Sequence, residues 1–184
     1  MPEGIVKSRA YPLGGSAMKI SMYSMSVESF LPMLGNLSTL VEKGVKFAAE
    51  KKFDPAVLVN ARLAPDMLPL SRQIQIACDM AKNGSSRLAG QEAPRFEDNE
   101  TTIEELLARV ARTIDHLKSI PANAIDGSED RDIKIPMRDR TLEMKGLPFL
   151  RTWALPNFYF HVVMTYAILR HNGIEIGKRD YLGM

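Results

Sequence analysis

The segment FYFHVVMTYAIL, residues 158–169, constrains this chain more than any other, because only His161 and Thr165 interrupt its apolar and aromatic side chains. A membrane span needs ~18–20 uninterrupted apolar residues. This run is too short for one, and it carries a histidine and a threonine. In a globular protein, a helix that is apolar all round is buried on most sides. The segment therefore reads as the central helix of the fold. A short helical piece around Leu147 to Ala154 meets Pro156, Asn157 caps the main helix, and Gly173 ends it after Asn172.

Other helices gather around it. Val27, Phe30, Leu31, Leu34, Leu37, Val41, Val45 and Ala48 recur at three- and four-residue spacing, which predicts a helix from near Ser26 to about Lys52. Asp54-Pro55 breaks it. After the connecting stretch AVLVNARLAP, Asp66 reads as the N-cap of a second helix, with Pro69 in its first turn and Met67, Leu70, Ile74, Ala77, Cys78 and Ala81 as its buried stripe. Asn83-Gly84 is expected to end it. A third helix starts at the Thr102/Glu105 capping box, buries Ile103, Leu106, Leu107, Val110, Ile114 and Leu117, and stops at Pro121. Between the second and third lies NGSSRLAGQEAPRFEDNE, a loop long enough to suggest a functional or partner-facing role. From Arg131 the period becomes alternating. Ile133, Ile135 and Met137 face one way, and a turn at Asp139-Arg140 would set Leu142 and Met144 opposite Met137 and Ile135. Pro136 on the outward face marks an edge strand. The tail GIEIGKRDYLGM is expected to fold back, since Ile174, Ile176, Tyr181 and Leu182 need cover. The reading is a mainly all-α chain, a four-helix bundle with a small β-hairpin before the last helix.

At 184 residues this is one domain, residues 18–184, with enough core to fold without disulfides. Residues 1–17 have no apolar periodicity and read as a disordered extension, with Met18 as an alternative start. A transit peptide fits the basic, acid-poor composition but not the weak amphipathic character. Cys78 is the single cysteine, which excludes an internal disulfide and favours a reducing compartment, here read as the cytoplasm. The net charge of +2 offers no clustered basic face, so nucleic acid is not an expected partner, and neither is a membrane.

His161 is the first candidate for chemistry. Asn157 and Thr165 lie one turn before and after it on the same face, and a buried polar row needs partners, a water or a ligand. A core histidine satisfied by a backbone carbonyl is the plainer alternative. Metal is disfavoured: a helical site wants two ligands at i and i+4 with more from a facing helix, and His161 has Thr165 at that spacing. His171 is three turns away, and His116 shares a face with Arg109 and Arg112 that reads as solvent-exposed. Cys78, on a buried stripe, reads as packing. Arg62 could hold an anion or pair with Asp66, with Gln73 and Gln75 beyond. Arg151 and Trp153 precede the kinked helix. Arg87, Glu92 and Asp98 read as surface charges that fix the path of the long loop.

Several stretches, YSMSVESFLPMLGNL, ARLAPDMLPLSRQIQIACDMAK, SRLAGQEAPRFEDNETT and above all LPNFYFHVVMTYAILRHNGIEIGKRDYLG, resemble a branch of bacterial and fungal domains of unknown function similar to the DinB/YfiT-like helical bundles. The resemblance runs from about Met18 to Gly183. It implies an up-down-down-up four-helix bundle, often dimeric. In the wider superfamily it also implies a divalent metal on one histidine of the second helix and a His-x-x-x-His pair near the last, with thiol-dependent transferases or isomerases among the members. Here the second helix has no histidine and the pair is reduced to His161 with Thr165. The leading functional reading is a small-molecule-binding bundle, with metal-independent catalysis as an extension of it. Its pocket would be lined by His161, Asn157, Thr165 and Tyr166, with Arg62 and Gln73 facing them and His161 as acid/base or hydrogen-bonding group. The alternatives are a structural or regulatory homodimer and a degenerate metal/thiol transferase.

Overall fold

The computed structural model describes residues 20–184; the expected extension, residues 1–17, lies outside the described residues. A capped turn, α1 (Met22–Met25), leads into α2 (Val27–Lys51) and a short α3 (Ala56–Val59). Two long helices follow, α4 (Leu70–Leu88) and α5 (Ile103–Ser119), then the short α6 (Ala122–Ile125). A hairpin of β1 (Asp132–Pro136) and β2 (Thr141–Lys145) precedes α7 (Gly146–Phe149), a π-helical turn (Leu150–Ala154), α8 (Leu155–His171) and α9 (Lys178–Leu182).

The side-chain pairings give the helix directions. Phe30 meets Phe158 with ring centroids 4.7 Å apart, and Gly44 lies under Leu169, so α2 and α8 run the same way. Gln73 meets His161 and Gly84 meets Ala154, so α4 runs against α8. Asp79 pairs with Arg109 and Ser86 with His116, so α5 runs parallel to α4. The result is an up-down-down-up four-helix bundle with the core between α2, α4, α5 and α8. This topology accounts for the long loop. Consecutive parallel helices cannot be joined by a tight turn, so residues 89–102 return along α4, which is roughly 28 Å long.

The capping box at Thr102 and Glu105 forms as expected. Ile174 and Ile176 are buried in the returning tail, which is tied to α2 by Asp180 on Lys43 and by the Asn36 amide donating to the Tyr181 carbonyl.

Other boundaries differ. The second long helix starts at Leu70, after Pro69, so Asp66 does not cap it. It runs through Asn83-Gly84 to Leu88, and the left-handed residue that follows is Gly90. Gly84 is buried inside the helix, where a Cβ would meet Ala154 at 3.5 Å, an ordinary packing distance. Asn157 does not cap the last helix. The helix begins two residues earlier, continuous with the π turn, and the Asn157 amide donates to the Trp153 carbonyl. In the hairpin the pairing is Ile133 with Met144 and Ile135 with Leu142, two residues from the expected register, with the Met137 amide donating to the Arg140 carbonyl. A slip of two keeps every side chain on its own face, so alternation cannot detect it. Immediately after the hairpin, Gly146 packs so tightly that a Cβ there would lie 1.9 Å from the Ser128 carbonyl oxygen.

The apolar helix α8 is buried on most sides, as expected. Phe158, Val162, Ile168 and Leu169 are in the core, but Phe160 is 53% exposed and Val163 39%. Among the described residues, no helix is long and apolar enough to cross a membrane.

Candidate functional site: the His161 corner and the Arg109 seam

His161 projects from α8 toward the start of α4 and is 9% exposed. Its Nδ1 lies 2.7 Å from Oε1 of Gln73, whose Nε2 donates at 3.1 Å to the Leu68 carbonyl. This chain of contacts fixes the proton. A carbonyl only accepts, so the Gln73 amide must turn its NH2 toward Leu68 and its oxygen toward the ring. The imidazole nitrogen facing that oxygen then carries the hydrogen. The remaining nitrogen, Nε2, keeps its lone pair. Among the described residues it has no hydrogen-bond partner, and it is not one of the fully buried polar atoms there that lack one. Burial lowers the His161 pKa below its ordinary value, so the ring is neutral near pH 7.

The other sequence candidates take different places. Arg62 does not pair with Asp66; its guanidinium donates to the Met67 carbonyl, next to the Leu68 carbonyl that Gln73 holds. Arg62 and Gln73 thus pin consecutive peptides of the segment leading into α4. Thr165 spends its hydroxyl on the carbonyl of His161, and Asn157 spends its amide on Trp153, both within the helix. Tyr166 turns to Tyr181, with ring centroids 6.2 Å apart. Of the polar row on α8, only His161 reaches across to another helix. Phe160 lies edge-on to the imidazole at 5.2 Å, and Leu68, whose carbonyl Gln73 holds, is 44% exposed. A surface hollow of about 530 Å³ lies elsewhere, between Lys43, Lys46 and Phe47 of α2 and the turn at Gly173.

These residues do not fit a metal held in the superfamily's manner. The resemblance implies three imidazoles, but α4 carries no histidine, and at the His-x-x-x-His spacing α8 offers His161 and a Thr165 hydroxyl that already donates to the backbone. Among the described residues, no group of three or more His, Cys, Asp or Glu is placed to hold a metal ion.

A second polar region was not read from the sequence. Arg109, expected on an exposed face, is fully buried between α4, α5 and the returning loop. It pairs with Asp79 at 3.0 Å, Asp98 at 2.9 Å and Glu100 at 3.0 Å. Lys82, 4% exposed, joins Asp79 at 3.1 Å, and Arg72 joins Asp98 at 2.5 Å. Asp98, with its side chain 37% exposed, is thus a surface charge that fixes the path of the loop, as expected, by pairing with both arginines. Burial alone would raise its pKa, but hydrogen bonding and charge from Arg72, with Arg109, hold the carboxyl below its ordinary value. His116 is half-buried, with Nε2 2.8 Å from the Ser86 hydroxyl, and burial and Lys82 lower its pKa. Cys78 is packed inside, its thiol pushed up to about 12 by burial, so it is inert at neutral pH. The one sequence signal for this seam is the polar run Arg72, Gln75, Asp79, Lys82 and Ser86, repeating at three and four residues along α4.

No curated protein matches the chain. Among solved structures it is similar to a DinB family member protein from Shewanella denitrificans, with 42% identity, a TM-score of 0.79, and coverage of 88% of this chain and 92% of that one. The family model described as "Domain of unknown function (DUF1993)" matches residues 22–182, nearly the whole described chain, and the chain belongs to that family.

Proposed function

We propose that this protein is a small-molecule-binding bundle whose ligand donates a hydrogen bond to Nε2 of His161 and rests an apolar body on Leu68 and Phe160. The observation that supports this is the fixed tautomer. Leu68 orients Gln73, Gln73 orients the imidazole, and an accepting lone pair is left beside exposed apolar side chains. Such an arrangement selects a neutral ligand with a hydroxyl, amine or amide N–H. Proton transfer is a weaker role for the same atom. If Nε2 took the ligand's proton, the charged ring would face only the amide dipole of Gln73 and not a carboxylate. Binding is therefore favoured over general-base catalysis.

A screen of small hydroxyl- and amide-bearing compounds, read by ligand-observed NMR, tests this on wild type beside His161→Phe. Binders are expected to be lost or weakened about tenfold in the variant, the scale of one hydrogen bond, with the fold retained. Binders that ignore the substitution would contradict the proposal.

A homodimer is a second reading with its own observation: Phe160, Val163 and Leu68 are large apolar side chains left exposed on α8 and the segment before α4. Sedimentation equilibrium separates the two readings. A dimer that Val163→Glu converts to monomer supports this one, and a monomeric wild type removes it.

A further inference from the structure

Residues 90–102 are attached to the bundle almost entirely by charge. Ala93, Pro94 and Phe96 are their apolar residues, and none joins the core. From Glu92 to Glu100 no backbone–backbone hydrogen bond is made among the described residues. What holds this segment is a ring, two carboxylates and the Glu97 carbonyl, which accepts from Arg109 at 3.0 Å. The Phe96 ring lies 4.3 Å from Lys82 Nζ and 4.7 Å from the Arg112 guanidinium carbon. Asp98 bridges Arg72 and Arg109, while Glu100 accepts from Arg109 and, at 2.9 Å, from the Gln75 amide. Arg109 is fully buried at the centre, and its Nε has no partner among the described residues. With Asp98 and Glu100 lifted away, Arg72, Lys82, Arg109 and Arg112 would face Asp79 alone.

A ring flanked by carboxylates across a row of cations is how an aromatic di-acid would bind. We propose that residues 92–100 act as a tethered occupant of this seam, and that a free aromatic dicarboxylate displaces them and binds Arg72, Lys82, Arg109 and Arg112. The returning loop is needed to connect parallel helices, but residues 92–100 add no side chain to the apolar core. Lifting them gives up the charge contacts of Arg109, which a bound dicarboxylate would restore, and leaves the core packing in place. The tether gives the loop a high effective concentration, so wild type binds a competitor weakly. Removing the loop's own ring should strengthen binding, since the competitor then recovers the cation–π contacts.

The test is calorimetric titration of the full chain with isophthalate, using wild type, Phe96→Ala, and Phe96→Ala combined with Arg112→Met. Phe96→Ala is expected to bind one equivalent about tenfold more tightly than wild type, the scale of the cation–π contacts it frees. Adding Arg112→Met, which removes a half-exposed cation of the seam, should reverse that gain. Absence of saturable binding to Phe96→Ala would overturn the proposal, as would binding indifferent to both substitutions. A Phe96→Ala chain that fails to fold would overturn it as well, because the lid would then be part of the fold.

Discussion

Arg109→Met is expected to lower the unfolding free energy by about 3–5 kcal/mol, the cost of stranding a buried charge. The substitution keeps an unbranched stem but removes the guanidinium, and so leaves Glu100, whose side chain is 3% exposed, without its closest cation. Arg112, 3.6 Å from Glu100 and 55% exposed, is too solvated to replace it. Most of the loss comes from the unpaired carboxylate and not from a missing attraction, so adding Glu100→Met to Arg109→Met should recover a large part of it. Urea unfolding of the two variants measures both effects. A loss below about 1 kcal/mol for the single change, the range of exposed ion pairs, would mean that the seam is solvated.

Two phenylalanines on α8 should separate just as sharply. Phe158 is fully buried against Phe30, and truncation to alanine is expected to cost about 3–5 kcal/mol from lost transfer energy and the cavity left behind. Phe160, two residues on and 53% exposed, should cost less than about 1 kcal/mol, in keeping with a surface change. Thermal or urea unfolding gives the comparison. If Phe160→Ala proved as costly as Phe158→Ala, the outward face of α8 would be covered in solution, as the homodimer reading requires.

The elements that the sequence disclosed are those in which period and burial agree. The stripes of α2, α4 and α5 place Phe30, Ile74 and Val110 in the core because each helix has one apolar side. The hairpin faces were legible for the same reason, but the register was not, since pairings two residues apart look identical to alternation. Asn83-Gly84 misled because a glycine inside a helix has the same letter as one that ends it, and this helix continues to Leu88. The all-round apolar α8 is buried on most sides, as its composition implies, and the one face that a four-helix bundle leaves outward carries Phe160 and Val163.

The site was legible to a different depth. His161 announced itself as a polar residue in the most apolar helix, and Gln73 does meet it. The Arg109 seam was hidden because charges on a helix flank default to solvent. Its partners come from Asp79 on another helix and from a loop with no period at all. Part of the loop's length follows from topology alone, because parallel α4 and α5 require a long return.

Ligand binding at this corner depends on the state of one ring, and nitrogen-15 NMR of the His161 imidazole reads that state directly. The prediction at pH 7 is a neutral ring with the proton on Nδ1 and a bare Nε2, titrating below the ordinary histidine value of 6.5. A proton on Nε2, or a cationic ring at that pH, would leave no lone pair to offer and would contradict the ligand-binding reading.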